Sequence, residues 1–184
     1  SGGVAFNTSG SDYAEYLPHL ESGSVFEGGD VVGVFDGRIS HRTIDAQQVM
    51  AITDRAAVLG NAPPGMDDVT GYEAVSFIGQ LPVRVTGPVD EGDYIVASGF
   101  EDGTAVAVAP EDVTLDHIAR LVGRAWESSD SALTERINTV VGLDRSEVLS
   151  SIIRRQSQEL VEQKKAIEEL RILVEEHLRQ HTGS

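Results

Sequence analysis

The chain of 184 residues contains no cysteine. Disulfides, thiolate metal sites and a cysteine nucleophile are therefore excluded. Lysine is nearly absent as well: the only two are Lys164 and Lys165, so residues 1–142 carry none. A Ser–Lys dyad, a Schiff-base lysine and a phosphate-loop lysine are thus excluded from that part. Aromatic residues make up only 5% of the chain, and no run approaches the ~18 continuous apolar residues of a membrane span. No charged-then-apolar leader precedes the first strands, and the start at Ser1-Gly2-Gly3 reads as a boundary within a longer chain.

What is present in excess is negative charge. The net charge is −16, and residues 1–142 hold 22 acids against 7 arginines. Such a surface repels phosphate, so no nucleic-acid partner is expected. No membrane partner is expected either. The 40% hydrophobic content suits one ordinary core.

Two grammars follow one another along the chain. Residues 4–143 consist of short β-type runs punctuated by glycine. Residues 30–35 and 38–43 flank Asp36-Gly37, a strong hairpin signal, and Glu101-Asp102-Gly103 separates residues 94–97 from 104–108. Further strands are expected at residues 49–53, 56–59, 72–78, 81–85, 121–126 and 137–141. Residues 60–71 read as a loop, and residues 110–119 as a short helix opened by Pro110. The expected class is mainly β, a Gly-rich sandwich or barrel-like domain.

From residue 144 to residue 182 neither glycine nor proline occurs, and apolar residues recur at heptad spacing. With position a at Ile153, Leu160, Ile167 and Val174, position d falls on Leu149, Gln156, Gln163, Leu170 and His177. This is the pattern of a coiled-coil helix. Ile152, Leu173 and Leu178 at g and e widen the stripe beyond a dimer seam, which favours a parallel homotrimer. The Gln156 and Gln163 layers then set register more than stability. A lone amphipathic helix packed on its own β domain is the alternative, and nearly five heptads is long for one.

The usual catalytic spellings are missing: no G-x-S-x-G, no H-E-x-x-H, no phosphate loop. The histidines, His19, His41, His117, His177 and His181, show no convincing ligand spacing, so neither a metal nor a cofactor is expected. One stretch stands out. Ser11-Asp12-Tyr13-Ala14-Glu15 sets two carboxylates three residues apart behind a Ser-Gly-Ser hinge. In a strand they point to opposite faces; in a helical turn they share one. The plain structural reading is a capping box, Asp12 at the N-cap and Glu15 at N3.

That motif, at the head of a Gly-rich β domain ending in a helix, resembles the intramolecular chaperone autoproteolytic cleavage domain. This is the glutamic-peptidase type found in bacteriophage tail-fibre and neck-appendage proteins. Glu27-Gly-Gly-Asp-Val-Val-Gly33 and Gly79-Gln-Leu-Pro-Val-Arg-Val85 support the likeness more loosely. The resemblance implies a C-terminal domain that assists trimerisation of an upstream fibre domain of the same polypeptide. It implies folding in the bacterial host cytoplasm and residence on a virion tail fibre or injection-particle fibre. It also implies self-cleavage between Ser11 and Asp12, with Asp12 and Glu15 as catalytic residues of a single-turnover endopeptidase. Divided so, the chain is a leader (residues 1–11), an autoprocessing β domain (12–143) and a coiled coil (144–181). The alternative is a permanent, non-cleaving structural or receptor-binding tip of a trimeric fibre.

Overall fold

The computed structural model describes residues 5–6, 11–63, 69–143 and 145–182. The chain divides into two compact units, Ser1–Asp144 and Arg145–Ser184. The strands of the first unit are β1 (Ala5–Phe6), β2 (Asp12–Pro18), β3 (Val31–Phe35), β4 (Arg38–Ser40), β5 (Gln48–Ile52) and β6 (Val58–Gly60). They continue with β7 (Tyr72–Thr86), β8 (Tyr94–Ala97), β9 (Ala105–Val108), β10 (Leu121–Ala125) and β11 (Thr134–Val141). A short helix, α1 (Leu115–Ala119), connects β9 to β10, and α2 (Arg145–Thr182) forms the second unit.

Five strands close on themselves in the order β7–β11–β10–β8–β9, and the parallel pair Val85↔Ala105 returns β9 to β7. Closure leaves those strands without a free edge. The domain is therefore a barrel with an attached sheet, which decides between the two β architectures expected. Along β7, Leu81, Val83 and Val85 point inward at a period of two and meet Ile95, Ala97, Ala105, Val122 and Ile137. Burying one such valine or leucine contributes roughly 1.5–3 kcal/mol. A smaller cluster, Val32, Ile39, Ile52 and Val75, fills the space under β3, β4 and β5, with Leu17 and Phe26 packed against it.

β7 is the spine. Its second half pairs with β11 through eight consecutive residues, while its first half pairs with β2 and, briefly, β5. The two strands expected at 72–78 and 81–85 are one 15-residue strand. Gly79 does not break it, because a glycine at φ +124° carries the ladder through a conformation that other residues rarely adopt. The hairpin at Asp36-Gly37 forms as expected, with both residues at positive φ (49° and 76°) and Phe35 opposite Arg38. That is the pairing a two-residue turn of the primed kind requires. Residues 94–97 and 104–108 likewise pair as β8 and β9.

Four expectations need correction. The helix expected at 110–119 spans only Leu115–Ala119, and Thr114, not Pro110, precedes it. The Thr114 N–H donates to His117 Nδ1 (3.2 Å), which accounts for that histidine. Trp126 lies just beyond β10 and is half exposed. The capping turn at Asp12–Glu15 is not formed: these residues belong to β2, because β7 and β6 supply ladders on both of its sides. Within the loop at 60–71, residues 64–68 lie outside the described residues, and Gly60 belongs to β6.

α2 is a continuous helix of 38 residues, about 57 Å long at 1.5 Å per residue. Val148 and Ile152, one turn apart, are buried. Leu149, Ile153, Leu160, Ile167, Leu170 and Val174 are all exposed on the single chain. No helix among the described residues is long and apolar enough to cross a membrane.

Candidate functional site

β2 places the Ser11–Asp12 peptide between β7 and the segment 53–57. Strand alternation buries Asp12 and Ala14 and exposes Tyr13 and Glu15. A bulge lies between Tyr13 and Ala14, opposite Ile78 and Ser76, and leaves this alternation intact. Asp12 and Glu15 are thus on opposite faces of the sheet. Glu15 lies over β6, its Cγ 3.8 Å from where a Cβ on Gly60 would stand.

Around the peptide the contacts are close. The Ser11 carbonyl accepts a hydrogen bond from the Gln80 N–H (3.1 Å), and the Asp12 carbonyl from the Ala57 N–H (2.7 Å). A Cβ on Gly79 would stand 2.4 Å from the Ser11 oxygen and 2.5 Å from Asp12 Cα. Only glycine lets β7 come this near the bond. The Gly79-Gln80 pair of the third sequence motif therefore seats directly on the Ser11–Asp12 peptide.

The Asp12 side chain is 1% exposed. Its Oδ1 accepts from the Thr53 hydroxyl (3.2 Å), whereas Oδ2 and the buried Ser76 hydroxyl make no hydrogen bond. Burial raises the Asp12 carboxyl above its ordinary value of 3.8, and the nearby Ser76 and Thr53 hydroxyls only partly offset this. A carboxyl group so placed is reluctant to carry charge.

Ser11 and Asp12 line a cleft of about 490 Å³ that also takes in Thr53, Asp54, Gln80, Arg136 and Asn138. Arg136 Nη2 donates to Asp54 Oδ2 at 2.6 Å, and the Asn138 amide reaches Gln80 Oε1 at 3.4 Å. A second recess shares Asp54 and Arg136 and adds Glu27, Gly28 and Arg84. Gly28 packs so tightly on Asp54 that a Cβ there would coincide with its carboxylate.

Beside this recess lies a buried charge cluster. Asp30, 2% exposed, accepts from Arg84 Nη1 (2.5 Å) and from the Glu27 N–H (2.9 Å), and lies 2.9 Å from His41 Nε2. Burial opposes its charge. The His41, Glu27 and Arg84 contacts outweigh that and hold its carboxyl below 3.8. The second sequence motif thus supplies Asp30 and the third supplies Arg84. The third motif seats on the first through Gly79 and Gln80, and the second meets the third at the Asp30–Arg84 pair.

Two groups at the cleft, Asp54 and Arg136, have no signal in the sequence. They lie 42 and 124 positions from Asp12 and belong to no spaced motif. Among the described residues, no group of three or more His, Asp or Glu side chains could hold a metal ion.

No family model matches the chain, and no curated protein matches it by sequence. Its fold is shared with two solved structures of bacteriophage phi29 gene product 12. The C-terminal fragment matches with a TM-score of 0.50 at 16% identity, over 71% of this chain and 99% of the fragment. Pre-mature gene product 12 matches with a TM-score of 0.51 at 15% identity, over 77% of this chain but only 22% of that longer chain.

Proposed function

We propose that this chain is the C-terminal trimerisation and chaperone domain of a phage tail-fibre-like protein, and that it cuts its own backbone between Ser11 and Asp12. It would reside on a virion tail or injection-particle fibre. One observation carries the cleavage reading. The Ser11 carbonyl is held by a main-chain N–H beside a buried carboxyl whose second oxygen has no partner, at the wall of a cleft. The likeness supports it: the shared fold occurs both in pre-mature gene product 12 and in that protein's C-terminal fragment.

The chemistry follows from position. Asp12 Oδ reaches the Ser11 carbonyl carbon through a six-membered ring, so the nucleophile is already in place. As the C–O bond forms, negative charge grows on the Ser11 oxygen, where the Gln80 N–H points. The C–N bond then breaks, and the Asp12 nitrogen takes a proton from water in the cleft and leaves as an amine. Ser11 is left joined to the Asp12 side chain as a mixed anhydride, which water hydrolyses. A single turnover over hours, about 10⁻⁴ per second, corresponds to a barrier near 23 kcal/mol. A nucleophile, one donor and a base suffice for that.

Trimerisation is read from α2. Its exposed Ile153, Leu160, Ile167, Leu170 and Val174 form a stripe at heptad spacing, interrupted by Gln156 and Gln163. Three parallel copies would cover it. Scattering from the purified chain should give three times its mass of 19.7 kDa.

One observation favours a leader that stays bound. β1, upstream of the proposed cut, pairs antiparallel with β6, on the side of β6 away from β2. Intact-mass measurement on freshly folded protein, with N-terminal sequencing, tests the cut. A chain beginning at Asp12 supports it. A single uncut mass after days at neutral pH refutes it and favours a permanent fibre tip.

A further inference from the structure

We infer that Tyr13, Phe77 and Ile78 form an apolar patch that neighbouring copies of this chain cover when three assemble. The inference rests on reading α2 as a trimer seam and does not depend on the cut at Ser11–Asp12.

An irregularity in the ladder makes the patch. Successive side chains of a strand alternate between faces, and on either side of this point β7 buries Val75, Leu81, Val83 and Val85. Tyr13 stands opposite Ile78 and Ala14 opposite Ser76, so the bulge leaves Phe77 without a partner on β2. A regular strand would turn one of Phe77 and Ile78 inward; the bulge shows both to water, at 40% and 50% exposure. Tyr13, 51% exposed, is the cross-strand neighbour of Ile78, and directly opposed residues share a face.

Two features point to a second copy as the occupant. The first is charge. Residues 1–142 carry 22 acids against 7 arginines, so copies of this domain repel one another over most of their surface. The patch itself carries no charge, and two such surfaces can close there. The second is the tether. A Cβ on Gly142 would stand 2.5 Å from the Phe77 oxygen and 3.0 Å from Ile78 Cα, so Gly142 lies on the main chain of the patch. α2 starts three residues later, at Arg145. Three chains joined along α2 thus carry their patches within a few residues of the joined segment, at high effective concentration. Three side chains cover far less than the ~800 Å² per partner of a standard interface. The patch therefore extends the seam and does not replace it. α2 brings the copies together, and each patch is covered by the next copy around the ring.

Because the chain has no cysteine, single thiols can report on this cover. Phe77→Cys and Ile78→Cys each place one in the patch. Phe100→Cys places one on the β8–β9 connection, where Phe100 is 79% exposed. The whole chains, checked as trimers by light scattering, are treated with a maleimide. On one chain alone, 79% against 40% or 50% exposure allows at most about a twofold difference in rate. In the trimer both patch thiols should label about tenfold more slowly than the Phe100→Cys thiol, because a covered thiol is kept from the reagent. Adding Ile167→Asp to separate the copies should bring the rates back to within about twofold. Labelling that fast in a trimer of unchanged mass overturns the inference, leaves the α2 seam standing and assigns the patch to another partner, such as the upstream fibre domain. Slow labelling that persists in the monomers also overturns it, since the cover then lies within one chain. A monomeric wild-type chain overturns the inference and the trimer reading together.

Discussion

Replacing Gly79 by alanine isolates the contact that shapes the cleft. Two costs add at this position. The backbone stands at φ +124°, outside the ordinary range of a residue with a Cβ, and such strain costs about 1–3 kcal/mol. The new methyl would also stand 2.4 Å from the Ser11 oxygen and 2.5 Å from Asp12 Cα. Both are main-chain atoms of a strand laddered on two sides, so neither can swing away, and overpacking of this kind costs about 1–3 kcal/mol more. The expected loss is therefore about 4 kcal/mol. With an unfolding entropy near 2.1 cal/mol/K per residue, that lowers the Tm of the β domain by roughly 10 °C or more. Gly37→Ala is the internal control. It has a positive φ of 76° but nothing within 4 Å of the added methyl, so it should cost only about 1 kcal/mol. Differential scanning calorimetry of the two variants reads the difference. If both lose the same few degrees, the close approach of β7 to the Ser11–Asp12 peptide is not what Gly79 provides, and the account of the cleft is wrong.

Three further outcomes are expected. Asp30→Ala strands Arg84 and His41 and should cost about 2–3 kcal/mol in urea unfolding, discounted from the fully buried case because Arg84 is 28% exposed; a neutral result would mean the cluster is solvated. The two buried aspartates should also respond to pH with opposite sign. Asp30 sits below 3.8 in the fold, so its stabilisation is present above that pH and is lost as pH falls through its lowered value. Asp12 is raised, so its cost is absent below 3.8 and grows as pH rises toward its folded value; Asp12→Asn should therefore gain on the wild-type chain across that interval, and a pH-independent gap would refute this. Ile167→Asp places a charge in each chain at an a position of the proposed seam and should give monomers by light scattering at micromolar concentration, each buried carboxylate costing several kcal/mol; an unchanged mass would remove Ile167 from the interface.

What the sequence revealed and what it hid divide along the range of the interactions involved. The Asp36-Gly37 hairpin, the β8–β9 hairpin and the long helix depend on neighbours in the chain, and each was legible from turn chemistry or periodicity. β2 was not. Its residues, Asp-Tyr-Ala-Glu-Tyr-Leu-Pro, include no β-branched side chain, and their local preference leaves strand and helical turn open. Pairing with β7 and β6 decides the matter, and those partners lie some 45–65 positions away. The same holds for β7, which reads as two strands around a glycine until Ser11 and Asp12 occupy the space a side chain would need. Closure of the barrel rests on one parallel pair, Val85↔Ala105, for which no local pattern exists. Gly79 and Gln80 meet the Ser11–Asp12 peptide in the fold, and Asp54 and Arg136 join the same cleft only through it.

The two buried aspartates show why that fold is more than a support. Asp30 and Asp12 are equally hidden from water, at 2% and 1% exposure. Asp30 has contacts with an arginine, a histidine and a main-chain N–H, the number that lets a carboxylate remain charged inside a protein. Asp12 has one hydroxyl on Oδ1, and a second hydroxyl, Ser76, that makes no bond to Oδ2. An unsatisfied buried polar atom costs about 1–3 kcal/mol, and the nearest remedy, a well-aimed donor, is one that this sheet supplies to Asp30 a short way along. Departures from the rules of polar satisfaction are expected where a group must react, since a fully bonded carboxylate is a poor nucleophile. Asp12 stands beside a carbonyl that its side chain can attack, with its second oxygen uncommitted. On the proposed reading, the domain bears this cost until the bond is cut.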